Sequence, residues 1–526
     1  MDGAEVISLI KKSLPDFSAL LVSQDYRDEI YLKVSPQVFQ ATALALHKIL
    51  SSPVMMLFAL DERNSAGVFV INAVFVNSKE GQWIIVSMDL SQENPVFDSL
   101  AKSIHSASLF EREIWEMFGI TPQGNPDLRR LNLHDEVWPK GNFPLRKDFK
   151  TMMPGDLGEY KFNRVEGGGV FEIPVGPVHA GIIGPGHFHF SVAGEPIVNL
   201  ELRLGFTHRG VEKLFEGKSF FDALRLVECI SGETAFAYSV AFATAAEKIS
   251  GIVTLEKTAY LRGIFLELER MYNHVNDIGG IALDVGFSFP AAYAALIKEA
   301  ILQLNERLTG NRYLKKVNLI GGLALDLDES KKCVLFDALK KIKNDFNELV
   351  KMLDSSVSFM DRVDTTGVLI KKTAQDLGIV GLVARASGIP TDLRKYFPGI
   401  YQEAKFKMIT AEGGDVLSRL RLRFFEFMES CRLIEEFTVK LGGSAETKVS
   451  APAKPETSAL GYVEGWRGPV LCYLKTDVHG LIARCKIVDA SSHNWQGLTY
   501  AVLGNIIPDF PVCNKSFNLS YPGNDL

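Results

Sequence analysis

Apolar positions change their spacing several times along the chain, and each change marks a different kind of element. Near the start, Val68-Phe-Val-Ile-Asn-Ala-Val-Phe-Val76 and Trp83-Ile-Ile-Val-Ser-Met88 are runs of β-branched and aromatic residues. The turn-forming stretch Asn77-Ser-Lys-Glu-Gly-Gln82 between them predicts an antiparallel hairpin. From Ser108 to Phe118 the spacing becomes helical, with Phe110, Ile114, Met117 and Phe118 on one face. Gly124 to Phe149 is rich in Pro, Gly, Arg and Asp, and has too few apolar side chains to fold without a surface to lie on. Met152-Met-Pro-Gly-Asp156 and Glu166-Gly-Gly-Gly169 then bracket a linker placed over residues 151–172.

Beyond it, 171–205 reads as short strands with glycine-rich turns. Residues 215–440 are predominantly helical, with long segments near 218–250, 257–277, 289–311, 331–358 and 412–441. Gly442 to Thr457 is a loop, and strands return at Val470-Leu-Cys-Tyr-Leu474 and Gly480-Leu-Ile-Ala-Arg484 before an irregular end. The expected class is α+β: a small α+β domain over 1–150, then a mainly helical domain with short peripheral strands over 173–526.

Composition narrows the function classes. Across 526 residues the net charge is −6, with no long Lys/Arg run, so nucleic acid is not an expected partner. No stretch reaches the roughly 18 to 20 apolar residues that cross a bilayer. The longest apolar reach, Phe287 to Ile297, contains Pro290. Asp2 and Glu5 stand where a signal peptide needs positive charge. The six cysteines are scattered, and no two form a CxxC, so neither a disulfide framework nor a cysteine-pair metal site is expected. No GxGxxG follows a strand, and Gly167-Gly-Gly169 is a linker signal, which argues against a dinucleotide-binding enzyme.

Several clusters could carry chemistry. Taken alone, Glu111-Arg112-Glu113 reads as a solvated charged helix face. The dense mixed charge of Asp127, Arg129, Arg130, Arg146, Lys147 and Asp148 suits either a docking segment or a mobile solvated loop. His179, His187 and His189 fall close together, and the last two share a strand face, a spacing open to a metal pair. With no cysteine or HExxH-like partner, ligand hydrogen bonding in a glycine-rich loop is the favoured role. His208-Arg209-Gly-Val-Glu212 places an imidazole, a cation and an acid at a helix start. Glu267, Arg270 and His274 line one helix face, where structural ion pairing is weighed slightly above catalysis.

These residues also carry a family resemblance. Glu111-Arg-Glu-Ile-Trp-Glu-Met-Phe-Gly-Ile120, Pro126-Asp-Leu-Arg-Arg130 and Pro144-Leu-Arg-Lys-Asp-Phe149 resemble the signature of the 30 kDa (C) subunit of respiratory complex I, with Asn125 in place of the usual His. Gly176-Pro-Val-His179, His208-Arg-Gly-Val-Glu-Lys213, Glu267-Leu-Glu-Arg270 with His274, and Ala384-Arg-Ala-Ser-Gly388 with Asp392 and Arg394 resemble the 49 kDa (D) subunit and the large subunits of membrane-bound nickel–iron hydrogenases. Gly414-Asp-Val416 and Gly465-Trp-Arg-Gly468 continue that match. A C-like domain ahead of a D-like one is the layout of formate hydrogenlyase and hydrogenase-4 type large subunits.

The resemblance implies where metal would sit. Hydrogenases of this type hold nickel and iron with two CxxC pairs, which align here with Ser231-Gly-Glu-Thr234 and with Ser520 to Gly523 after Lys515-Ser-Phe517. All four thiols are absent. Cys229 and Cys513 are off register, and Tyr238 stands where related sequences place a histidine. Nickel and low-spin iron require soft thiolates, so no metal and no nickel–iron hydrogenase activity is expected. The end at Leu526, before the tail that maturation proteases remove in hydrogenases, agrees with that expectation. The tyrosine that complex I offers to quinone aligns with Gly232, while His179 matches the loop histidine of that site.

What the resemblance implies is a peripheral subunit of a membrane-associated, complex I-like oxidoreductase, on the cytoplasmic face. NAD binding enters only as a family-level label. The chain itself binds no cofactor. Electrons come from an iron–sulfur cluster in a partner resembling the B-type iron–sulfur protein of complex I, with a ferredoxin-like subunit beside it. Membrane partners resembling the H-type protein of complex I and its antiporter-like proteins couple transfer to ion movement. The acceptor, a quinone by analogy, would meet His179, His187, Ser231, Thr234, Tyr238 and Ser520. His208 and Arg209 would tune the neighbouring cluster, because a nearby cation stabilises its reduced form. Glu233 is the candidate proton acceptor, and His179 the other catalytic candidate. The alternative is a structural coupling subunit whose pocket is closed by its own side chains.

Overall fold

In the computed structural model, which describes residues 3–14, 17, 19, 21–179, 183–442 and 451–526, the expected hairpin lies inside a five-stranded sheet. Its strands are Leu21–Tyr26 (β1), Glu29–Lys33 (β2), Met56–Glu62 (β3), Val68–Asn77 (β4) and Gln82–Ser91 (β5), ordered β1-β2-β5-β4-β3. β2 and β5 run parallel, the other neighbours antiparallel, and β4 pairs with β5 without a break from Val68↔Ser91 to Asn77↔Gln82. β3 and β4 are buried at successive positions, which point to opposite faces, so both faces of the sheet are covered. Part of the cover comes from far along the chain: Phe58 meets Tyr473 at 4.6 Å, and Trp83 meets Phe397 and Tyr462 at 5.3 Å each.

Helix Ser108–Phe118 has the expected bounds, but its charges are not solvated. Glu111 is fully buried and accepts hydrogen bonds from Ser99 Oγ, the Leu100 amide and the Asn125 side chain. Glu116 accepts from the amides of Leu131, Asn132 and Leu133, while Arg112 donates to the Arg129 carbonyl. Glu113 pairs with Lys486. The helix thus uses its charged face to bind the irregular 124–149 segment, which is a docked segment and not a mobile loop. The sequence could not separate these readings, because a carboxylate aimed at water and one aimed at backbone amides have the same spacing.

A three-stranded sheet follows, with His187–Ala193 between Val170–Val175 and Ile197–Arg203. Its Phe188 and Phe190 side packs on Phe510. The helical region is built around Glu256–Asp284, which is buried nearly all round and so lies at the centre of the bundle. Ser288–Thr309, Glu329–Asp354 and Val416–Val439 complete it. Asp328 and Asp415 cap the last two by accepting the amides of Lys331 and Ser418. At Gly414 (φ +64°) a Cβ would lie 2.2 Å from the Leu369 carbonyl oxygen, which accounts for the glycine before that cap.

Two expectations need correction. The helix placed over 218–250 is broken into Phe220–Val227 and Ala235–Ser250, with a tight turn between them. The end is not irregular: Ala490–Ala501, Phe510–Phe517 and Tyr521–Asp525 are helical. Pro511 and Pro522, which look like breakers, occupy the first helical turn, where the missing N–H costs nothing. The last sheet, Ser458–Glu464, Pro469–Thr476 and Ile482–Val488, lies between the N-terminal sheet and the helices. Of the loop expected over 442–457, residues 443–450 lie outside the described residues.

Candidate functional site

The turn between helices Phe220–Val227 and Ala235–Ser250 carries Ser231, Glu233 and Thr234. It is held from the central helix, where Glu269 accepts the amides of Phe236 and Ala237 at 2.8 and 3.1 Å. Burial pushes that carboxyl up to about 8, so it accepts these bonds as a neutral acid. The C-terminal helix brings in the second half of the site. Ser520 caps it by accepting the Gly523 amide at 3.0 Å.

Side chains fill the place that the resemblance assigns to the metal. Ser231 Oγ and Ser520 Oγ are 2.9 Å apart, and Ser491 Oγ accepts the Ser520 amide at 2.9 Å. Thr234 Oγ1 accepts from Trp466 Nε1 at 3.1 Å and from Arg467 at 3.2 Å. Tyr238 donates to the Asp489 carboxylate at 2.8 Å. Ser231, Thr234, Tyr238 and Ser520 are each at most 2% exposed. A Cβ on Gly523 would lie 2.7 Å from the Tyr238 hydroxyl and 2.9 Å from Ser520 Oγ. The donor set is three hydroxyls and a glycine, with no room between them, and does not fit a nickel–iron centre. Among the described residues no three His, Cys, Asp or Glu side chains converge to hold a metal ion.

Glu233 is tied down as well. Its carboxylate takes a hydrogen bond from Arg467 at 2.9 Å and is about a third exposed. Burial pulls its pKa upward, but the Arg467 guanidinium outweighs that pull and holds it below the usual carboxylate range. That makes it a poorer proton acceptor than a free carboxylate.

His179 stands apart from the closed cluster, on a cavity of about 740 Å3. The walls are mostly apolar, formed by groups such as Phe188, Val275, Leu283, Ala294, Phe510 and Leu519. Lys298, Lys515, Asn514, Asn518, Asp284 and Tyr521 supply its main polar groups, and none of Ser231, Thr234, Tyr238 or Ser520 lines it. His179 Nε2 donates to the Gly186 carbonyl at 2.8 Å. Of the cavity's polar groups, sequence pattern singles out His179 alone. Lys515 and Tyr521 fall inside the motifs around the second cysteine pair without standing out there, and nothing in the sequence points to Lys298.

The remaining candidates have other positions. His187 faces away from the cavity with His189, the imidazoles 5.9 Å apart and Phe162 stacked on His189 at 4.2 Å. His208 Nδ1 donates to the Asp525 carbonyl, the Arg209 amide to the Leu526 carbonyl, and the exposed Arg209 guanidinium to the Cys229 and Ile230 carbonyls. These two residues therefore join the chain end to the Ser231 turn. Glu267, Arg270 and His274 belong to a buried ion network. Glu267 bonds Arg270, Arg394, Tyr401 and Ser430, and Glu426 bonds His274 and Arg385. Against burial, Arg270 and Arg394 hold Glu267 down at about 2. Each charge faces a partner, as the ion-pairing reading requires.

Residues 32–154 match the family model of the respiratory-chain NADH dehydrogenase 30 Kd subunit, and residues 284–454 that of the 49 Kd subunit. Formate hydrogenlyase subunit 5 of Escherichia coli (strain K12) is 30% identical over 479 residues, covering 89% of this chain and 84% of the relative. Hydrogenase-4 component G of the same organism is 30% identical over 477 residues, covering 89% and 83%. Among solved structures, a chain of the membrane-bound sulfane sulfur reductase, an archaeal respiratory membrane complex, superposes with a TM-score of 0.64. That match covers 68% of this chain and 98% of the other at 24% identity, a likeness of fold alone.

Proposed function

The chain belongs to the family of formate hydrogenlyase subunit 5 and hydrogenase-4 component G, and from that premise we propose that it is a peripheral-arm subunit of a membrane-associated, complex I-like oxidoreductase. It carries no nickel–iron chemistry. Electrons arrive from an iron–sulfur cluster in a partner subunit, and an acceptor of the quinone type takes them in the cavity lined by His179. Membrane subunits couple this transfer to ion movement. No described helix is long and apolar enough to cross a membrane, so attachment falls to those partners.

The observation that carries this reading is the apolar-walled cavity with His179 on its wall. Its volume lies in the range of small-molecule sites, and its mixture of apolar walls with a few polar groups is what such sites present. Ser231, Thr234, Tyr238 and Ser520 then support the neighbouring turn and do not touch the acceptor. The competing reading, a structural coupling subunit without a substrate, draws its support from the closure of that cluster. Quinone reduction separates the two. In membranes containing the intact complex and supplied with low-potential electrons, wild type should reduce a short-chain quinone and His179→Ala should lose most of that activity. Reduced iron–sulfur clusters with no quinone reduction in wild type would favour the structural reading.

A further inference from the structure

The C-terminal end of helix Glu256–Asp284 presents Asn276, Gly280 and Asp284 to the cavity, four residues apart and so in one row. A lysine from another helix lies along each part of that row. Lys298, from helix Ser288–Thr309, donates to the Asn276 side chain at 2.8 Å. Lys515 lays its stem on Gly280, where a Cβ would come 2.8 Å from its Cδ and 3.3 Å from its Cε. Its charge reaches Asp284, whose pKa burial raises and Lys515 pulls back. Since Asn276, Gly280 and Asp284 all line the cavity, both ammonium groups run along its wall.

Neither ammonium forms a direct ion pair among the described residues. Lys298 bonds a neutral amide, and the carboxylates that act on its charge, Asp277 and Glu233, are already paired with Arg423 and Arg467. Burial pulls the Lys298 pKa down, and an anion beside it would oppose that pull. Against the two cations the cavity sets the single carboxylate of Asp284, which leaves its wall with a surplus of positive charge. Apolar walls strengthen the attraction of such a surplus for an anion, because they exclude the water that would screen it. We propose that the acceptor is itself negatively charged: a quinone-type ring bearing an acidic substituent, which Lys298 and Lys515 hold at the cavity wall. The inference rests on the acceptor-cavity reading above and names the class of acceptor. Reduction of the ring takes two electrons from the partner's iron–sulfur cluster and two protons from water, so the substituent keeps its charge throughout.

The test compares two probes, anionic 1,4-naphthoquinone-2-sulfonate and neutral 2-methyl-1,4-naphthoquinone, on the detergent-solubilised intact complex, which both reach from water. In wild type the sulfonate should have the lower KM. In Lys298→Gln/Lys515→Gln the ratio of the neutral to the anionic KM should fall at least about tenfold, the equivalent of one lost charge-assisted hydrogen bond. An unchanged ratio in this variant, beside a loss of activity in His179→Ala, would overturn the charge recognition and leave the cavity reading standing. Reduction of neither probe by wild type would overturn both. Should the variant fail to assemble, salt decides in wild type. Raising the ionic strength should raise KM for the sulfonate more than for the neutral probe, and equal responses overturn the proposal.

Discussion

Two sites share the short turn from Asn518 to Gly523, and one is filled by side chains where the other is open. In the hydroxyl cluster Ser231, Thr234, Tyr238 and Ser520 all have protein partners, so nothing remains to bind a ligand. The adjoining cavity instead encloses about 740 Å3 between mostly apolar walls, with Lys298, Lys515 and Asp284 among its polar groups. Open volume, more than proximity to the position that the resemblance assigns to metal, separates the part that can take a ligand from the part that holds the fold. Resemblance to hydrogenases draws attention to the first site, and the open volume moves it to the second.

The contrast is tested most severely at Arg467, which bonds Thr234, Glu233 and the Asn518 carbonyl. Arg467→Met leaves these groups without their cation and should cost about 2 to 3 kcal/mol of stability, read from urea unfolding of the purified chain. Gly523→Ala comes next. Its Cβ enters the contact with Tyr238 and Ser520, and overpacking of about 1 to 3 kcal/mol is expected in the same measurement. If this variant proved as stable as wild type, the cluster would not be closed.

The contribution of Glu269 appears as a pH dependence. Burial raises its pKa from an ordinary 4.5 to about 8, so between those values the folded chain keeps a proton that the unfolded chain has released. The contribution is fully present below about 4.5 and is lost as pH rises through about 8. Glu269→Gln, which stays neutral, should flatten the fall in stability between about pH 4.5 and 8. The smallest effect belongs to the cavity. Lys298 bonds Asn276 through its ammonium group, and Lys298→Gln should change stability by no more than about 0.5 kcal/mol. A larger loss there would mean that the cavity wall, too, is structural.

Much of the scaffold is legible in the chain. The β4–β5 hairpin, helix Ser108–Phe118 and the long helices announce themselves because apolar side chains repeat with the period of the element that buries them. The missing thiols are equally plain, since the chemistry of a ligand lies in its residue type. The charged face of Ser108–Phe118 is not legible in the same way, because sequence does not record what a carboxylate faces.

Residue order alone therefore yields the family layout, the element periods and the loss of soft donors at four aligned positions. It takes the packed chain to show that Ser231 meets Ser520 across 289 residues of sequence, and that His179, Lys298 and Tyr521 line one cavity. Local periodicity fixes which face of an element is apolar, whereas hydrogen-bond satisfaction and enclosed volume depend on how distant elements are packed together.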